Sequence, residues 1–230
     1  MSITEWFQQL NFDSLISGGM VVVAALLSIT FHETCHGLVA NWLGDPTAKN
    51  DGRLTLNPLK HVDLVGLAML VIFRFGWAKP VPVDARNFRH PKRDMVLTAL
   101  AGPLSNLVLA LAALMVEWIL RLLFSLYSAP EALWYLPLLL EYVAVISIGL
   151  AVFNIIPISP LDGSKVLLAF LPTRVYMKWM RYEHYGMFVL MALLLLGILD
   201  GPLQSLRDMV YGLLNFASIW PARWLAILLG

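Results

Sequence analysis

The chain has 230 residues, 59% of them hydrophobic and 13% charged, with a formal net charge of +1 and a mean hydropathy of +0.74. Soluble domains carry about a quarter charged residues, so this chain has too little polar surface to cover a globule in water and belongs in lipid. The global charge balance points to no nucleic-acid partner, and the single cysteine, Cys35, excludes an internal disulfide.

In chain order, the opening stretch Met1–Asp13 has no Lys or Arg ahead of its apolar run, so no cleavable signal peptide is expected. The first apolar segment runs from about Leu15 to Trp42. The stretch Asp51–Pro58 then alternates polar and apolar residues, and Trp77–Val83 is Pro-rich; both read as short strands or edges. Between them Leu64–Phe75 is too short for the ~20 residues a crossing needs, and reads as a re-entrant or buried piece. Further apolar segments run over Met95–Leu126, Ala132–Ile156 and Tyr185–Leu199, the last of marginal length. A sixth, Leu203–Leu229, is broken by Pro221, carries Arg207, Asp208 and Arg223, and is either a span or an interfacial helix. The predicted fold is an all-α polytopic membrane protein. It has four to six transmembrane helices and a short β-strand or re-entrant region before the Met95–Leu126 span. Residues 1–230 form one integral-membrane domain, with a core over 14–172 and additional helices over 183–229.

Loop charges predict an orientation. Of the sixteen Lys and Arg, nine lie between Asp45 and Asp94 and four between Pro157 and Glu183, whereas the loops near Ser128 and Asp200 have none. The positive-inside rule puts the two basic loops in the cytoplasm, the N-terminus outside and, if the sixth segment spans, the C-terminus inside.

At the end of the first apolar segment stands His32-Glu33-Thr34-Cys35-His36. Residues four apart share a helix face, so the two imidazoles can bind one Zn²⁺, and Glu33 can take a proton from a water on that metal. Ionisable residues at membrane depth are costly and functional by default. The competing reading is three polar residues that satisfy one another at a helix end. A third protein ligand is required. The spacing of one soluble zinc-protease class would place Gly at 39 and His at 42, where this chain has Val39 and Trp42. Glu117 has Arg121 at i+4 and a simpler role as an ion pair; Glu141 reads as a snorkelling or packing residue. Asp162 follows a helix break made by Pro157 and Pro160. It reads equally as an inward-facing ligand or as an N-cap of the next helix.

The chain resembles the site-2 protease family of intramembrane metalloproteases. It shares that family's H-E-x-x-H-G at His32–Gly37 and its N-x-x-P-x-x-x-L-D-G at Asn154, Pro157, Leu161, Asp162 and Gly163. Ala101–Asn106 and the segment Gly76–Pro82 are also similar. The resemblance implies that His32, His36 and Asp162 hold one Zn²⁺ per chain, that Glu33 is the general base, and that Asn106 and Asn154 line the site. The expected activity is peptide-bond hydrolysis within or next to transmembrane segments of membrane-protein substrates, in a prokaryotic cell membrane, with the site toward the cytoplasm. The PDZ and regulatory domains of many relatives have no room in these residues.

A substrate helix hides its carbonyls and must unwind before cleavage. Arg53–Asn57 is expected to offer the unwound strand an edge, and the side chains of Asn106 and Asn154 to hold it or polarise its carbonyl; hydrogen-bonded helix packing is their other reading. Cys35 reads as packing. His61, His90 and His184 read as solvated, and Asp63 and Arg86 have no assigned role. The rival class is a non-proteolytic zinc-binding transporter or scaffold. A transporter would show paired inverted halves, which the sequence does not display. Oligomeric state is not legible.

Overall fold

A chain that crosses lipid must satisfy its own backbone, and a helix does so without a partner. The computed structural model of the chain describes residues 12–63, 66, 79–172 and 183–229. Its regular structure is helical, with no strand among the described residues. Helix α1 is Phe12–Trp42 and α2 the single turn Thr47–Asn50. Helix α3 is Pro91–Leu126, α4 Tyr135–Asn154, α5 the short Asp162–Ala169, α6 Glu183–Leu195 and α7 Asp200–Leu229. Leu15–Trp42, Pro91–Leu126, Glu131–Asn154 and Asp200–Leu229 are long and apolar enough to cross a membrane.

Helix α3 begins four residues ahead of the apolar segment. Pro91 occupies its first turn, where a missing N–H costs nothing, and the Asp94 carboxylate accepts the His90 N–H at 2.9 Å. Helix α7 runs through Pro221, which does not break it as the sequence suggested. Helix α6 has 13 residues and reaches only about 20 Å at 1.5 Å per residue.

Helix α3 packs against α1, α4 and α7, and α1 against α4. Their core is built on small residues, Ala24, Ala110, Ala113 and Ala144, filled by Leu114, Val143, Ile148 and Val152. Small side chains let helices in lipid approach closely. Polar bonds cross the same interfaces: Ser28 to Ser147 at 2.8 Å, and Trp118 Nε1 donating to Asn215 at 2.9 Å. Arg121 donates to Glu117 at 2.7 Å and to Glu141 at 3.0 Å. Glu117 is thus the ion-pair partner anticipated, and Glu141, read from the sequence as a snorkelling or packing residue, is the second carboxylate on the same guanidinium.

The expected strands are not strands. Arg53–Asn57 is irregular, and two of its donors turn back on the segment: the Thr55 N–H bonds Arg53 O at 3.0 Å, and the Asn57 N–H bonds Thr55 Oγ1 at 3.2 Å. The described part of Trp77–Val83, residues 79–83, is also irregular, and Pro80 and Pro82 have no N–H to pair. The Arg53 guanidinium crosses this region, donating to the carbonyls of Lys60, Lys79 and Pro80. Of the re-entrant segment expected at Leu64–Phe75, residues 64, 65 and 67–75 lie outside the described residues.

Candidate metal centre

Residues 32, 33 and 36 sit within α1, four helical positions bringing His32 and His36 onto one face. Their Nε2 atoms lie 3.0 Å apart. Asp162, the first residue of α5, reaches both, 130 positions beyond His32 in sequence: Oδ2 is 3.2 Å from His32 Nε2 and 3.1 Å from His36 Nε2. Its side chain does not cap α5. The chain can make this approach because residue 163 is glycine: a Cβ there would overlap the carbonyls of Ile155 and Ile156 at the end of α4.

The three groups fit a zinc ion. Ligands held 2.0–2.1 Å from a tetrahedral zinc stand roughly 3.3 Å from one another, close to the spacings seen. All three residues are buried, and two neutral imidazoles with one carboxylate match the donor chemistry of zinc sites that keep a fourth position open. Burial pushes the Asp162 carboxyl up, but hydrogen bonds from His32 and His36 and the charges of His36 and Lys165 more than reverse this and hold it well below the usual carboxylate range. Lys165 approaches its other oxygen, Oδ1, at 3.4 Å. Cys35 is half-buried and stands outside this ligand group.

Helix α3 forms the back wall. Thr98, Gly102 and Asn106 recur every four residues and lie under the imidazoles. The Thr98 carbonyl accepts from His36 Nδ1 at 2.7 Å, and Asn106 Nδ2 lies 3.1 Å from His32 Nδ1. Between them Gly102 leaves the room the rings occupy: a Cβ would overlap His36 Nε2 and His32 Cε1. The Ala101–Asn106 motif thus has a packing role against both histidines that sequence spacing could not reveal.

Glu33 is held by the loop. The Val81 N–H donates to Oε2 at 2.8 Å. Because Pro80 and Pro82 flank it, Val81 supplies the only N–H in that tripeptide. A cavity of about 470 Å³ opens beside His32 and Glu33, walled by apolar residues of α1 and α4 such as Ala25, Leu26, Ile146 and Leu150, with Leu190 of α6. Asn154 lines this cavity and donates to the Leu150 carbonyl at 3.0 Å, whereas Asn106 is fully buried behind His32. His61, expected to be solvated, is 1% exposed. The 3₁₀ turn Pro58–Lys60 swings it inward to the cavity wall, where Nε2 bonds Thr55 O at 2.9 Å. Asp63 also lines the cavity and accepts the Gly66 N–H at 2.8 Å; Arg86 pairs with Asp84.

The model of peptidase family M50 matches residues 123–197, a stretch that contains Asp162. YwhC of Bacillus subtilis (strain 168), named as a zinc metalloprotease, is 36% identical over 176 residues, covering 75% of this chain and 78% of the relative. The chain belongs to peptidase family M50, the site-2 protease family. Two further relatives carry the name zinc metalloprotease Rip2. The one from Mycolicibacterium smegmatis (strain ATCC 700084 / mc(2)155) is 26% identical, covering 87% of this chain and 74% of its own. That from Mycobacterium tuberculosis (strain ATCC 25618 / H37Rv) is 30% identical, covering 79% and 69%. No solved structure matches the chain significantly. Family and apolar helices together make it an integral membrane protein of a metallopeptidase family.

Proposed function

We propose that this M50 member is an intramembrane zinc endopeptidase that hydrolyses peptide bonds within or next to transmembrane segments of other membrane proteins. The observation that carries the reading is the convergence of His32 Nε2, His36 Nε2 and Asp162 Oδ2 beside Glu33, at the end of an apolar cavity between α1 and α4. His32, His36 and Asp162 would hold one Zn²⁺, which when bound supplies Lewis-acid polarisation of a carbonyl and acidifies a water. Glu33 is the general base. The Val81 N–H fixes one of its oxygens, and the carboxylate takes a proton from the attacking water and returns it to the departing amine. The apolar cavity walls receive side chains of an unwound substrate segment and exclude bulk water. Asn154 lines the wall, and its amide would donate to a substrate carbonyl. The basic loops orient the site toward the cytoplasm, with the N-terminus outside.

Replacing Glu33 by Gln tests this. The variant is expected to keep stoichiometric zinc and its thermal stability while kcat for a reconstituted transmembrane peptide falls about 100- to 10,000-fold. Undiminished cleavage that a zinc chelator still blocks would remove Glu33 as base. No cleavage by the wild-type chain of any transmembrane peptide, with zinc bound, would favour a non-proteolytic zinc-binding membrane protein instead.

A further inference from the structure

Asn106 is a buried polar side chain at the site whose present contacts do not suit a bound metal. A histidine that ligates through Nε2 must carry its ring proton on Nδ1. For His36 that condition is met, since its Nδ1 lies 2.7 Å from the Thr98 carbonyl, which can only accept. For His32 the contact at Nδ1 is the amide nitrogen of Asn106, at 3.1 Å. An amide nitrogen only donates, so this contact suits the opposite tautomer, with the ring proton on Nε2 directed to Asp162 Oδ2 at 3.2 Å. Two N–H groups cannot bond each other. Loading the metal on His32 therefore demands a different acceptor at Nδ1.

We infer that Asn106 is the positioning residue for His32: in the metal-loaded protein its amide is turned so that Oδ1 accepts the Nδ1 proton, the part the Thr98 carbonyl plays for His36. The inference rests on the reading of His32 as a zinc ligand. Three observations support it. Oδ1 is buried and has no hydrogen-bond partner in its present place, so the turn breaks no bond on that side. Asn106 is completely buried, so no bulk water competes for the imidazole proton. Asn106 also lies two helical turns beyond Thr98 on α3, with Gly102 between them, so one rigid element orients both rings. An amide also suits this place chemically. It serves either tautomer by a half-turn, and it adds no third carboxylate to a buried site that already holds Asp162 and Glu33. Partners of this kind typically govern metal affinity 10- to 100-fold.

The test uses the full chain in detergent and Zn²⁺ as the probe, with affinity read by chelator competition. Asn106→Ala is expected to weaken Zn²⁺ binding about 10- to 100-fold, and Asn106→Asp, which still accepts a proton bond, to restore most of that loss. An Asn106→Ala variant with wild-type affinity overturns the inference while leaving the zinc reading intact. So does an Asn106→Asp variant that folds yet binds as weakly as Asn106→Ala. A wild-type chain that binds no Zn²⁺ overturns the zinc reading itself, and this inference with it. A second measurement needs no variant to fold. In the Co²⁺-substituted wild-type protein each ligating imidazole should show a paramagnetically shifted Nδ1–H proton, and both should exchange slowly with solvent. One slow and one fast proton would overturn the inference.

Discussion

Gly102 shows how much of this site depends on an atom that is absent. Its missing Cβ is the space in which the two imidazoles stand, and helix α3 can form their back wall only while residue 102 stays bare. Gly102→Ala forces a methyl group against both rings. Overpacking of this sort costs about 1–3 kcal/mol, and the strain falls on His32 and His36 and not on the distant core. The variant is expected to lose most of its Zn²⁺ affinity with only a modest drop in unfolding temperature. Equal zinc content in the variant and the wild type would show that α3 can yield. Val81 makes a similar point about Glu33. Its N–H reaches Glu33 because prolines on both sides hold the segment extended and leave no competing donor.

Among the elements, the connection after α1 is held by one buried carboxylate. Asp45 is fully buried and accepts the backbone N–H of Thr47 at 3.1 Å, the Thr47 hydroxyl, Asn87 Nδ2 at 2.8 Å and the Asp84 N–H at 2.7 Å. It thereby ties the end of α1 to the turn Ala85–Asn87, which leads into α3. Burial raises its pKa, but these donors more than compensate and leave it below its ordinary 3.8. A carboxyl depressed in the folded state stabilises above its unfolded pKa and loses that contribution as pH falls through the folded value. The clasp is therefore at full strength at neutral pH and weakens below about pH 4. Asp45→Ala should be less stable by about 1–2 kcal/mol at neutral pH, since it removes the shared acceptor of Thr47, Asp84 and Asn87. The gap between variant and wild type should narrow as the medium is acidified below that point. Thermal unfolding across pH would show it, and a gap constant down to the most acid medium would remove Asp45 as its source.

For the whole molecule, the decisive feature is a cavity that joins the apolar helices to the polar site. Its walls come from α1, α4 and α6 and from the turn carrying His61, so it exists only when these parts assemble. A bulky residue at Ala25 would fill it without replacing His32, Glu33, His36 or Asp162. Ala25→Trp is expected to reduce cleavage of a transmembrane peptide at least about tenfold while Zn²⁺ stoichiometry stays at wild type. Unchanged cleavage would mean that substrate reaches Glu33 by another route.

The sequence by itself determined the helices, the histidine pair and the break that releases Asp162. These follow from local rules: apolar runs of membrane length, i,i+4 spacing on one helix face, and prolines that end a helix. The Asp162 side chain's choice between capping α5 and facing the histidines was open at that level, because both readings use the same residue at the same place. Tertiary packing decided it, across 130 positions. Packing alone also put Asn106 behind His32, 74 positions away, and the Val81 N–H on Glu33, 48 positions away. It buried His61, which local charge had marked as solvated, and it replaced the expected strands by segments pinned through Arg53. A side chain's partner across such separations is set by how the helices meet, and no periodicity along the chain encodes it.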